Sequence, residues 1–115
     1  DYAWHEAALR KAVIALGCDV TSNMTSLVVL NLPPALAGRE KDLVQMCRSR
    51  GFGIWPTLSE PVQVRIGILN QLGEAAITDI VDRFAAAMNE MGAGADPAAA
   101  REALRSHYVT RMAAE

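Results

Sequence analysis

The chain has 115 residues, 51% of them hydrophobic and 21% charged, with a net charge of −2. Such a length and composition describe one folded globular domain and exclude a disordered chain. The slight acidity argues against a nucleic-acid or anionic-membrane partner, and no apolar run approaches the roughly 20 residues that would cross a bilayer.

From Tyr2 to Leu16, apolar residues recur at Trp4, Leu9, Ala12, Val13 and Leu16, a helical spacing that Gly17 ends where a left-handed cap would sit. Residues 18–23 read as a short extended or turn-rich stretch. Ser26–Leu30 is a compact β-branched run, predicted as a buried strand and closed by Asn31-Leu-Pro-Pro34. Arg39–Arg50 is predicted as a helix with Leu43, Met46, Cys47 and Arg50 on one side, stopped by Gly51. Phe52–Trp55 reads as a short strand that Pro56 cuts off. After the loop Thr57–Pro61, the stretch Val62–Leu69 alternates Val62, Val64, Ile66 and Ile68 with Gln63, Arg65 and Gly67, the period of a strand with one apolar face. Gly73–Gly92 is the clearest helix, its stripe made of Ile77, Ile80, Val81, Phe84, Met88 and Met91. Beyond the linker Gly92–Pro97, Asp96 is placed to cap a last helix with Pro97 in its first turn, running to about Ala113.

The order α-β-α-β-β-α plus a helical tail predicts an α+β fold. It is a two-layer sandwich in which helices cover one face of a small, mostly antiparallel sheet. The tail has few strong apolar positions (Leu104, Tyr108 and Met112) and is expected to pack lightly as an extension. The natural division is 1–92 for the domain and 93–115 for linker and C-terminal helix.

Arg65 is the residue in which this pattern meets chemistry. Alternation puts it on the face opposite the aliphatic row, and a guanidinium in mid-strand needs either solvent or an anion. Its planar, permanent charge suits two-point recognition of a carboxylate, although a strand arginine also serves simply to solvate a sheet face. Other candidates are sparse. Thr57, Ser59 and Glu60 precede the Arg65 strand and could line a site, a placement that ordinary loop composition explains equally well. Trp55 is either a substrate-facing aromatic or core. His5 and His107 are expected as solvated helix residues, without a neighbouring nucleophile. Lys11 and Lys41, the only lysines, fall on helices among polar residues, away from the buried setting that activates an amine. Gly51 and Gly53 flank Phe52 without forming a phosphate-binding fingerprint. Cys18 and Cys47 lack metal-site or redox spacing and are expected as reduced buried thiols of a cytoplasmic protein. No metal site is expected, and no nucleophile–base pair supports independent catalysis.

Four segments together resemble a known family. They are Trp4–Gly17, Ser22–Val29, Arg50-Gly-Phe-Gly-Ile54 and above all Val64-Arg-Ile-Gly-Ile68 before a long amphipathic helix. Over about residues 2–92 the sequence resembles the small C-terminal domain of class V, fold type I aminotransferases, in the manner of alanine–glyoxylate and pyridoxamine–pyruvate aminotransferases. The resemblance implies a pyridoxal 5'-phosphate enzyme that passes an amino group to a 2-oxo acid such as pyruvate or glyoxylate. It also implies Arg65 as the anchor of the substrate carboxylate and assembly as a homodimer. Where several relatives continue with His-Met-Gly, this chain has Ile68-Leu-Asn70. The Schiff-base lysine and most cofactor ligands of that family belong to a large domain with no counterpart here. No cofactor-binding or catalytic residue is therefore expected within these residues. Without an initiating methionine the chain is expected to be processed or a piece of a longer one. The missing large domain makes the expected piece the C-terminal portion of a longer aminotransferase, or one domain cut from it. The competing expectation is a stand-alone α+β module that binds a small carboxylate or a protein, because a two-layer sandwich by itself selects no function.

Overall fold

The structure, a computed structural model, describes residues 2–21, 27–49, 54–57, 62–67 and 73–114. Among them the order is α1 (Tyr2–Ala15), β1 (Asp19–Val20), β2 (Leu27–Asn31), a 3-10 turn (Pro34–Leu36), α2 (Glu40–Ser49), β3 (Ile54–Pro56), β4 (Val64–Gly67), α3 (Glu74–Glu90) and α4 (Pro97–Ala114). The strands form one antiparallel sheet in the order β1-β2-β4-β3. This is the α+β, two-layer arrangement that the sequence pattern predicts.

Alternation decides which face of the sheet is covered. Val28, Leu30, Ile54, Val64 and Ile66 are fully buried, and the register sets Val28 and Ile54 against Ile66 and Leu30 against Val64. Helices close this face. The α3 stripe of Ile77, Ile80, Val81, Phe84 and Met88 is buried, as are Leu9 and Val13 of α1. On α2 the buried set is Leu43, Val44 and Cys47; Leu43 and Cys47 belong to the predicted side, and Arg50 lies outside the described residues. Gly17 turns the chain out of α1 at φ +98°, and a Cβ there would meet the Pro33 ring at 3.5 Å. The positive φ favours glycine, while the space by itself would admit a Cβ in ordinary contact.

Several element boundaries differ from the predicted ones. The strand expected at 26–30 is Leu27–Asn31, and that expected over 62–69 is Val64–Gly67, with 68 and 69 outside the described residues. Pro56 does not cut off the third strand but belongs to it. The Thr57 N–H donates to Gln63 O at 2.9 Å, so by antiparallel alternation the residue at 56 has its nitrogen turned away from β4. On the sheet's outer edge a missing N–H costs no ladder bond.

The tail does not pack lightly. Ala100, Leu104 and Tyr108 of α4 stand four residues apart on one stripe and belong to the same buried cluster as α1 and α3. Ala8 and Ala12 on α1 are fully buried too, small residues that let two helices lie close. Asp96 caps α4 as expected, Oδ1 accepting from the N–H groups of Ala98 and Ala99 at 3.0 and 3.3 Å. Asn89 closes the preceding loop at two points, accepting from Ala95 N–H at 2.7 Å and donating to Ala95 O at 3.0 Å.

The expectation of solvated histidines is overturned at the same seam. His107 is 3% exposed, and its ring lies 3.9 Å from the Trp4 ring between centroids. Lys11 Nζ donates to Nδ1 at 3.0 Å and Nε2 is 2.9 Å from Trp4 O. An ammonium can only donate and a carbonyl can only accept, so His107 carries its single proton on Nε2. His5 Nδ1 is in hydrogen-bond contact with the Tyr108 hydroxyl at 2.7 Å. Burial, aided by the charge of Glu74, pushes the Tyr108 hydroxyl up from 10.0 to about 12. In the unfolded chain that proton leaves first, so the folded state binds more protons between those values and stability falls as pH rises through them. Replacing Tyr108 by Phe is expected to flatten this alkaline decline in urea-unfolding midpoints. A decline as steep as that of the parent chain would remove Tyr108 as its source.

Candidate functional site

The outer face of the sheet carries two rows of side chains. Antiparallel register places Thr21, Val29, Arg65 and Trp55 side by side across β1, β2, β4 and β3. The neighbouring row, about 7 Å along the strands, holds Asp19, Asn31, Gln63 and Thr57. The second row is polar and internally bonded. Gln63 Nε2 donates to Thr21 Oγ1 at 3.0 Å and to Asn31 Oδ1 at 3.2 Å, and Gln63 N–H donates to Thr57 Oγ1 at 2.8 Å.

Arg65 stands in the middle of the first row, half-buried between Val29 and Trp55. Its Nη2 donates to Pro56 O at 3.0 Å, and its Nε–H is buried without an acceptor. No carboxylate among the described residues forms an ion pair with it. Leaving a buried donor unmade costs about 1–3 kcal/mol, which is why such groups gather at functional sites. A guanidinium tethered at one corner, with no carboxylate among the described residues paired to it, suits an anion approaching from the open side. Its fork matches the two oxygens of a carboxylate.

The other residues singled out by sequence fall elsewhere. Ser59, Glu60, Gly51, Phe52 and Gly53 lie outside the described residues. Thr57 borders the polar row through its bond to Gln63. Lys11 belongs to the α1–α4 seam, and exposed Lys41 is at the start of α2, beside a shallow groove that Arg48, Gln45 and Pro56 also line. Cys18 and Cys47 are buried, and burial pushes the Cys18 thiol up to about 12, so it is protonated and a poor nucleophile at neutral pH. Among the described residues no three His, Cys, Asp or Glu side chains gather to hold a metal ion. None of the described helices is long and apolar enough to cross a membrane. Sequence reading left Trp55 undecided between core and surface. Its neighbour across the strand settles that: Trp55 shares the outer face with Arg65 and is 37% exposed.

No protein-family model matches this chain, and no curated protein sequence does. A solved structure does, that of ureidoglycine–glyoxylate aminotransferase from Bacillus subtilis, with a TM-score of 0.76 over 93% of this chain at 19% sequence identity. The fold is that of part of an aminotransferase. This chain spans 29% of the length of that enzyme chain. The aminotransferase-like architecture bears out the fold expected from the Val64–Ile68 motif and its following helix.

Proposed function

We propose that this chain is the small C-terminal part of a class V, fold type I aminotransferase dependent on pyridoxal 5'-phosphate, and that Arg65 anchors the carboxylate of its substrates. The observation that carries the reading is a half-buried arginine without a carboxylate partner among the described residues, in the middle of the outer face of a sheet with an aminotransferase fold. The amino acceptor is a 2-oxo acid such as pyruvate or glyoxylate. On the residues Trp4–Gly17 and Val64–Ile68 the chain resembles the alanine–glyoxylate and pyridoxamine–pyruvate enzymes. Residues 1–92 form the domain and 93–115 the linker and helix, which the α1–α4 seam ties to it. The whole enzyme is a cytoplasmic homodimer whose large domain faces Arg65.

The residues of this chain do not fit the cofactor itself. Lys11 is engaged with His107 and Lys41 begins α2, both on helices of the layer opposite the Arg65 face. Pyridoxal phosphate, when bound by the large domain, supplies the electron sink for amino transfer. What Arg65 contributes is position: a carboxylate held at two points has its α-carbon fixed in place and direction.

The test is to isolate the native polypeptide that contains this sequence, weigh it, and look for the absorption band of bound pyridoxal phosphate. The expected result is a mass several times 12.4 kDa and a band that shifts on adding an amino acid and returns on adding pyruvate or glyoxylate. A mass near 12.4 kDa without such a band would replace the enzyme by a carboxylate-binding module.

A further inference from the structure

We propose that Trp55, which stands beside Arg65 on the outer face of the sheet, is the residue that limits the size of the substrate's side chain. The inference rests on the reading of Arg65 as the carboxylate anchor and goes beyond it to the class of acid accepted. Trp55 and Arg65 are direct cross-strand partners. Alternation from the Thr57–Gln63 bond makes theirs a hydrogen-bonded pair, with Cα atoms about 5.5 Å apart. The Arg65 side chain is further tied to β3 through Pro56 O, the carbonyl of the residue next to Trp55. Val29 flanks Arg65 from the other side and is half-buried. Trp55 is 37% exposed, whereas Phe84 and Tyr108 are buried.

A cation that leans toward β3, where Trp55 is its cross-strand partner, matches a ligand with the same division, a carboxylate followed directly by a small aliphatic substituent. The polar row of Asn31, Gln63 and Thr57 begins one row away. Gln63 bonds to Asn31 and Thr57 within it and to Thr21, which ends the Arg65 row beyond Val29. An indole occupies the space that a longer or branched substituent would need. The site therefore favours glyoxylate and pyruvate over bulky 2-oxo acids.

The experiment uses the full-length holoenzyme and compares kcat/KM for glyoxylate, pyruvate and 2-oxo-4-methylpentanoate. In Trp55→Ala the ratio of the branched acid to glyoxylate is expected to rise at least about tenfold, as relief of steric exclusion in an apolar pocket does. In Trp55→Phe the ratio is expected to stay close to that of the parent enzyme. Trp55→Leu, which keeps an apolar side chain on the strand, reads the same ratio if the alanine variant does not fold. An unchanged ratio in a folded variant, with Arg65→Lys still raising KM, overturns the assignment of Trp55 alone. No transamination by the parent enzyme, or no effect of Arg65→Lys on KM, overturns the underlying anchor and this inference with it.

Discussion

Replacing Arg65 by Lys in the complete enzyme is expected to raise KM for the 2-oxo acid by about 10- to 150-fold. That range corresponds to the roughly 1.5–3 kcal/mol that a charge-assisted, two-point contact contributes. Lysine keeps the charge but not the plane: a single ammonium meets one carboxylate oxygen at a time, and its hydration is harder to strip. If the lost contact is made equally in ground and transition states, kcat holds while KM rises. A fall in kcat as well would mean that the fork also aligns the α-carbon for reaction. Steady-state kinetics at saturating amino donor separate the two, with circular dichroism confirming that the sheet is intact. An unchanged KM would return Arg65 to the role of a solvated strand residue.

The second large effect concerns α4. A chain ending at Gly94 is expected to lose its cooperative thermal transition. Removing the helix takes Ala100, Leu104 and Tyr108 out of the core and strips the cover from Ala8 and Ala12 on α1. Burying a Leu or a comparable side chain is worth about 1.5–3 kcal/mol, and a domain of this size has a total stability of about 5–15 kcal/mol. The His107 contacts with Trp4 and Lys11 are lost as well. Melting followed by circular dichroism decides the matter. A transition as sharp and as high as that of the parent chain would mean that the seam contributes little to stability.

The sequence shows the helices and the covered sheet face because both are written in local periods. Ile77 to Met88 repeat at helical spacing, and Val64 and Ile66 alternate with Gln63 and Arg65. It does not show the burial of His107, because the residues that bury it, Trp4 and Lys11, stand about a whole chain length away. Few large apolar residues on α4 look like a weak face. The alanines of α1 that make a few sufficient are visible only once the two helices are seen side by side. β1 is left open between extended and turn for a different reason: two residues, Asp19 and Val20, are too short for any period to register. At the candidate site, alternation alone puts Arg65 on the outer face. That Trp55 stands next to it is a fact of register, fixed by the pairing of β3 with β4 and not by either segment alone.

β3 forms one border of the sheet, and its backbone has consequences beyond the site. Pro56 presents no N–H outward, and its carbonyl is already claimed by the Arg65 side chain. Within this three-residue strand, Ile54 alone keeps an outward donor and acceptor for a foreign strand to copy. The border is thus a poor template for chain-to-chain zippering, the route by which exposed strands seed insoluble aggregates. Arg65 belongs to that defence as well as to the candidate site. A variant that takes the guanidinium away gives an acceptor back to the border, so loss of the anchor and loss of solubility are coupled through one side chain.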